Sequence, residues 1–270
     1  MTKLLGVIGD PISHSLSPLI HNGWLRDLHI DATYEAMHVP AGELTDALKT
    51  LESKEVHGVN VTLPHKHDAL AACGKATDAA SKIGAANTLT YKGPGQWHAD
   101  NTDAPGFLRA LGPIDATAEQ VVILGAGGSA RAIVFALTNQ KTPITILNRT
   151  ASKAKDLAAE LGDQSTRSGG IIQYNEYIES ATIVVNTTSM GYAGDVLKLP
   201  NGNGRIFFDI SYGKIAAPQL KHAAEMGWQV KDGMTMLVAQ AAFSFESWFG
   251  VMPDFEKALE RCQRAVRAAQ

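Results

Sequence analysis

The sequence predicts an α/β protein whose strands run mostly parallel. Short apolar runs and helix-forming stretches alternate along most of the chain. A second β-α-β series opens near Val121, with a glycine-rich turn between its first strand and its first helix.

The elements follow in order. Leu4–Ile8 is an apolar run closed by Gly9-Asp10-Pro11, the pattern of a buried strand entering a turn. Ser17-Pro18 reads as a helix N-cap with proline at the first helical position, opening a helix through about Leu28. Thr33–Val39 is the next strand, and Ala41–Leu51 a helix with Leu44, Leu48 and Leu51 on one face. Val56–Leu63 reads as strand and His67–Ala72 as the start of a helix. In the second series Val121–Leu124 is a buried strand, Gly125–Gly128 a tight turn, Ala130–Leu137 a helix and Ile144–Leu147 a strand. Ile183–Val185 and Ile206–Ile210 repeat the apolar strand pattern. From Met234 onward the periodicity is helical, ending in an amphipathic helix over Phe255–Ala269. Gly93–Gly95 and the polar stretch Gly162–Gly170 are predicted as surface loops.

Bulk composition narrows the function classes. The chain has 270 residues, 45% hydrophobic and 19% charged, with a net charge of −3, the balance of a folded soluble protein. Lysines and arginines are scattered with no basic stripe, which argues against nucleic-acid and acidic-membrane partners. The two cysteines, Cys73 and Cys262, lie far apart with no ligand spacing around them, so they read as free thiols in a reducing cytosol and no metal site is predicted. The N-terminus lacks the apolar core of a signal peptide, and the longest apolar stretch, Val121 to Leu137, is broken by Arg131 and glycines. A cytoplasmic location is expected.

Gly125-Ala126-Gly127-Gly128-Ser129-Ala130 fits the G-x-G-x-x-A dinucleotide fingerprint, directly after a strand and opening a helix. The first glycine permits the sharp turn, the second lets backbone approach a pyrophosphate, and the small third residue lets helix pack on sheet. Helix N-terminal amides then face the phosphates. An NAD-binding chain places Asp or Glu at the end of the following strand, to accept from the ribose 2′-hydroxyl. Here stand Asn148-Arg149-Thr150 with Lys153 a turn later, cations suited to a 2′-phosphate. NADP is the predicted cofactor.

Four polar clusters fall where predicted strands end: Ser13–Ser17, Asn60–Lys66, Asn87-Thr88 and Asp100–Asp103. Each has a plainer reading alone: Ser17 as a cap, Asn87 in a turn, Lys66 as a surface lysine, Asp103 as an N-cap. Together, at strand carboxyl ends of an α/β sheet, they point to one ligand cleft.

These clusters resemble the shikimate dehydrogenase family. The matching runs are G-D-P-I-S-H-S-L-S-P with His21-Asn22, G-V-N-V-T-L-P-H-K, I-G-A-A-N-T, D-N-T-D, G-A-G-G-S-A-R-A, N-R-T, V-N-T-T-S-M-G and D-G-M-T-M-L-V-A-Q-A-A-F-S-F-E-S-W, in the family's order from Gly9 to about Trp248. The chain departs from the family's usual pattern at Ser211, Ala217-Pro218, Ala99-Asp100 and Tyr192. The resemblance implies a substrate carboxylate held by Ser15 and Ser17, with Tyr212 nearby. It implies ring hydroxyls read by Asn60, Thr62, Asn87, Asp103 and Gln240, with Lys66 as acid/base and Asp103 orienting it. Asp78, Gly125–Ala130, Asn148, Arg149, Thr150, Lys153, Ile210 and Gly233 would line NADP. Met236 would pack against substrate or nicotinamide, or simply in the core.

The order of motifs then predicts a substrate domain from residues 1–102 and 237–270 and an inserted Rossmann-like NADP domain at 103–236, with the C-terminal helices returning to the first domain and a closing cleft at the junction. The implied activity is NADPH-dependent reduction of 3-dehydroshikimate to shikimate, a step of chorismate and aromatic amino-acid biosynthesis, by a monomer or homodimer. Two rivals remain: a quinate/shikimate paralogue using NAD or NADP, and a non-catalytic NADPH-binding regulator on the same fold. The regulator would be expected to lose Lys66 or Asp103, and both are present.

Overall fold

A computed structural model describes residues 2–115 and 119–268. Ala269, the last residue expected of the final helix, lies outside the described residues, as do the two ends of the expected first domain. The chain divides into two compact units, Met1–Gly106 with Leu237–Ala269 and Phe107–Met236.

The first unit holds β1 (Lys3–Gly9), α1 (Ser17–Asp27), β2 (Ala32–His38), α2 (Leu44–Ser53), β3 (Gly58–Val61), α3 (Lys66–Ala71), β4 (Lys75–Ala76), α4 (Asp78–Ile83), β5 (Thr88–Tyr91) and β6 (Trp97–Asp100). Its sheet has the order β2-β1-β3-β5-β6-β4. β1 pairs parallel with β2 and β3, and β4 with β6, but β5 runs antiparallel to both β3 and β6. The cause is the short loop around Gly93–Gly95, which joins β5 to β6 as a hairpin, too short for a parallel crossover. Packed on the sheet is an apolar core of Ile8, Val59, Val61, Leu89 and Trp97 with Leu44, Leu48 and Leu51 of α2.

One helix start differs from the sequence prediction. Leu16, not Ser17, is the N-cap of α1, and no side chain caps it. The amide of Ser17 instead donates to Ser15 Oγ at 3.3 Å. Pro18 tightens that first turn without a hydrogen to satisfy, so the turn forms around Ser15 rather than being capped by Ser17.

The second unit holds the rest of α5 (Asp103–Leu111), then β7 (Val121–Leu124), α6 (Gly128–Asn139), β8 (Ile144–Asn148), α7 (Ala151–Leu161), β9 (Arg167–Gly170), α8 (Tyr174–Ile178), β10 (Ile183–Asn186), β11 (Ile206–Asp209), α9 (Gly213–Glu225) and β12 (Gln229–Lys231). Its sheet is parallel throughout, in the order β12-β11-β10-β7-β8-β9. With strands numbered from β7, this is the doubly wound 6-5-4-1-2-3 order, with β7 at the switch point. β9 lies within Gly162–Gly170, where the sequence predicts a loop. As an edge strand it is held by its ladder with β8 rather than by an apolar face, so it leaves no hydrophobic pattern. Arg205 ties the floor of this unit together: its guanidinium donates to the carbonyls of Ile178, Glu179, Ala181, Asn201 and Gly202 and stacks 4.5 Å over Trp228. The chain returns to the first unit through α10 (Met234–Phe249) and ends in α11 (Phe255–Ala268). No helix among the described residues is long and apolar enough to cross a membrane.

Candidate active site

In the first unit the carboxyl end of β3, the start of α3, the start of β5 and the start of α5 bring four polar side chains together. Lys66 is the first residue of α3 and Asp103 the first of α5. Lys66 Nζ donates to Asp103 Oδ2 at 2.5 Å, with only 11% and 6% of the two side chains exposed. Asp103 is thus not spent capping its own helix. Its amide donates to Asn101 Oδ1, and its second oxygen accepts from Asn87 Nδ2 at 2.9 Å. The same Asn87 nitrogen lies 3.2 Å from Gln240 Oε1 on α10. Lys66 is positioned from both sides. His65, the residue before it, has Nε2 2.7 Å from the Val39 carbonyl, an acceptor only, so that nitrogen carries the proton. The Lys66 carbonyl accepts from the amide of Ala86.

Asn60 sits one residue inside the end of β3. Its Nδ2 faces the Asn87 carbonyl at 3.1 Å, Thr88 Oγ1 at 3.2 Å and Ser244 Oγ at 2.9 Å, and its Oδ1 accepts from the Tyr34 hydroxyl at 2.7 Å. Burial pushes the Tyr34 hydroxyl pKa well above the ordinary value, with Ser17 nearby opposing it. Asn60 therefore meets Tyr34 and Asn87 directly, and reaches Asp103 through Asn87. Ser15 joins the group through the amide of Ser17. Thr62, half-buried, shares the end of β3 with Asn60. Asp78 stands apart, exposed at the start of α4, where Thr77 caps the helix by accepting from Ala80.

The second unit carries its motifs along the carboxyl ends of its strands. Gly125 has φ +112°, and a side chain there would collide with the Thr187 hydroxyl. At Gly127, the N-cap of α6, a Cβ would meet no protein atom within 4 Å. Ala130 is wholly buried. So the first glycine is required by the turn and the third small residue by helix–sheet packing, while the second leaves open space that a close-lying phosphate can use. Ala126, Gly128 and Ser129 complete the turn into α6. Asn148 ends β8, its Nδ2 donating to the Thr150 carbonyl at 3.0 Å, and Arg149 and Lys153 are exposed beside it with no carboxylate pairing with Arg149 among the described residues. Ile210 and Gly233 follow β11 and β12, with Gly233 so close to the Ile210 carbonyl that only glycine fits. Half-buried Tyr212 is the N-cap of α9, and Met236 is buried on α10. From β8 to β12 the motifs span five neighbouring strands, roughly 19 Å of sheet edge at ordinary strand spacing, room for two nucleotides end to end.

Several residues that build these sites carry no role in the sequence reading. Thr88, Thr102 and Ser244 form a buried hydroxyl cluster beneath Asn60 and Asn87. The two threonines each follow an asparagine in an N-T pair, and Ser244 lies four positions after Gln240, on the same helix face, a spacing that could have found it. In the second unit Asp209 Oδ2 accepts from Asn186 Nδ2 at 2.8 Å, and Asn186 Oδ1 accepts from Thr188. That pair braces the T-T-S-M-G turn after β10 against the Ile210 turn after β11. Burial raises the Asp209 carboxyl above the usual carboxylate range, against the opposing bonds from Ser211 and Asn186.

Comparison with known proteins agrees with this arrangement. Residues 7–89 match the shikimate dehydrogenase substrate binding domain, residues 109–222 the shikimate/quinate 5-dehydrogenase family, and residues 233–263 the shikimate 5′-dehydrogenase C-terminal domain. The chain is 50% identical over 270 residues to the shikimate dehydrogenase (NADP(+)) of Hyphomonas neptunium, covering 99% of each chain. Among solved structures, shikimate dehydrogenase from Aquifex aeolicus superposes with a TM-score of 0.87 at 31% identity, covering 97% of each chain. Shikimate 5-dehydrogenase from Thermus thermophilus, solved in complex with NADP(H) and shikimate, does so with a TM-score of 0.83 at 34% identity, covering 97% of this chain and 99% of that one. Fold and strand-end motifs define a two-unit dinucleotide-binding α/β protein. The chain belongs to the shikimate dehydrogenase family.

Proposed function

We propose that this chain catalyses the reversible NADPH-dependent reduction of 3-dehydroshikimate to shikimate, in the cytoplasm, as a step of chorismate and aromatic amino-acid biosynthesis. The first unit serves as substrate domain and the second as NADP domain. The observation that carries the chemistry is the buried Lys66–Asp103 pair, held by Asn87 among groups able to bind hydroxyls.

The residues fit the cofactor. Open space over Gly127 and the amides of α6 suit a pyrophosphate, and Arg149 with Lys153 suits a 2′-phosphate. Asn148 and Thr150 shape that strand end, and Ile210 and Gly233 suit the far end of the dinucleotide. Bound NADPH supplies a hydride to the ring carbonyl. Everything else falls to side chains. The Lys66 ammonium donates a proton to the oxygen that becomes the hydroxyl, and in the oxidising direction the neutral amine takes it back. Asp103 fixes the direction of that ammonium and accepts from the reacting hydroxyl. Ser15 and Ser17 hold the carboxylate, and Asn60, Thr62, Asn87 and Gln240 bind the remaining hydroxyls.

Initial rates with shikimate and quinate, each with NADP+ and NAD+, test the reading. The highest kcat/KM is expected for shikimate with NADP+. A preference for quinate would move the substrate assignment, and no turnover with any pair would leave a non-catalytic binder.

A further inference from the structure

Ser244 is fully buried on α10 and has no place in binding or proton transfer as described above. Four polar groups converge on its hydroxyl. Asn60 Nδ2 donates to it at 2.9 Å, Thr88 Oγ1 lies at 2.7 Å and Thr102 Oγ1 at 3.1 Å, and its own hydrogen reaches the Gln240 carbonyl at 3.0 Å. The first three come from β3, β5 and the turn before α5, and the fourth is the backbone of the residue whose side chain meets Asn87. Ser244 is the point where α10 fastens to β3, β5 and the turn before α5.

We infer that Ser244 is a positioning residue for substrate recognition, fixing which atoms of Asn60 and Asn87 are offered to the ring hydroxyls.

The amide orientations show how. The Asn87 carbonyl can only accept, so the Asn60 atom facing it must be the nitrogen, and the Tyr34 hydroxyl then donates to the oxygen. Asn60 Nδ2 has two hydrogens and three acceptors in reach, and Ser244 is the nearest. Asn87 is set through the same cluster: its Oδ1 accepts from the Thr102 amide at 2.8 Å and from Thr88 Oγ1 at 3.1 Å, which turns Nδ2 toward Asp103. The one hydrogen of each threonine hydroxyl has two acceptors in reach, Asn87 Oδ1 and Ser244 Oγ, so the serine oxygen helps set where it points. Loss of the hydroxyl leaves buried donors competing for fewer acceptors, so the two amides sample rotated states that misplace their oxygen and nitrogen. A misplaced reader of hydroxyls weakens binding shared by ground and transition states, so it raises KM more than it lowers kcat. Lys66 and Asp103 bond each other directly, so the proton step keeps that pair even where the Asn87 brace on Asp103 loosens.

The inference rests on the shikimate reading, and the two are tested apart. Wild-type turnover decides the function; the Ser244→Ala and Ser244→Cys variants decide the inference. Ser244→Ala is expected to raise the KM for shikimate about threefold to tenfold, one lost hydrogen bond's worth, with kcat within twofold and the KM for NADP+ unchanged. Ser244→Cys, with a weaker acceptor of similar size, should fall between. A second readout needs no activity: in amide NMR spectra the buried Asn60 side-chain NH2 should exchange with solvent faster in Ser244→Ala than in the wild type. A lower Tm with unchanged shikimate KM and unchanged Asn60 exchange would make Ser244 a packing residue only and overturn the inference.

Discussion

The roles proposed for Ser15 and Arg149 divide recognition between substrate and cofactor, and each can be tested by what it does not affect. Ser15 stands half-buried at the first turn of α1, its oxygen within reach of the Ser17 amide. On the proposed role, Ser15→Ala removes a hydroxyl that binds a charged carboxylate, so the KM for shikimate should rise about tenfold or more with kcat nearly kept. A selective loss of kcat would remove Ser15 from the carboxylate site. Arg149 is exposed at the end of β8 without a carboxylate partner among the described residues, so its charge is available to a 2′-phosphate. Arg149→Asp should lower kcat/KM for NADPH far more than for NADH, by repelling one phosphate group. Equal losses would place Arg149 outside that pocket. At this scale the sequence reads well wherever one short motif holds both the residue and its reason, as at Gly125, where the turn itself demands glycine. It reads poorly where the reason is distant. Ser244 meets Asn60 across 184 positions, and Tyr34 meets it across 26. No local pattern marks a tyrosine in a strand as the brace of an asparagine in the next.

The glycine turn between β7 and α6 separates folding from binding within one element. Gly125 is needed by the fold, since its backbone is left-handed and the Thr187 hydroxyl fills the place of a side chain. Gly127 is extended and faces open space. Gly127→Ala should therefore fold with a Tm within about two degrees of wild type, yet bind NADP+ at least about tenfold more weakly, because its methyl occupies the approach of the pyrophosphate. Calorimetric titration with NADP+ checks this; normal affinity would mean that the phosphates lie elsewhere. The inner strands β7, β8, β10 and β11 of this unit were legible because parallel strands buried on both faces leave continuous apolar runs, as at Val121–Leu124. By contrast α7, α8, α9 and the edge strand β12 were not read. Nor was β9, since an exposed edge needs no such run. In the other unit the β5–β6 hairpin escaped for a related reason: Trp97–Asp100 interleaves polar and apolar residues beside a glycine loop, and short strands of that kind look like turns.

Over the whole molecule, stability and function meet at His21. It is completely buried beside the substrate cluster, stacked on Tyr34 with ring centroids 4.1 Å apart and edge-on to Trp24. Burial pushes its pKa down to about 3, and Asn60 nearby opposes this only in part. Neither ring nitrogen reaches a hydrogen-bond partner with good geometry, so burial dominates. The unfolded chain takes up a proton at His21 near pH 6.5 that the folded chain refuses until about pH 3. Stability from this group is thus complete above pH 6.5 and falls with acidification between those values, by roughly 2 kcal/mol at pH 5. Urea unfolding at pH 7 and pH 5 should show that loss, and His21→Phe, which keeps the stack without the base, should reduce it. An identical acid slope in the variant would assign it to other groups. The central claim is that this chain moves a hydride between NADP and shikimate with the proton held at Lys66. Steady-state NADPH consumption with 3-dehydroshikimate, wild type beside Lys66→Ala, tests it most directly. The wild type should turn over, and the variant should lose about 10²–10⁴-fold in kcat with its KM within a few-fold. An inactive wild type, or a variant with near-normal kcat, would contradict it.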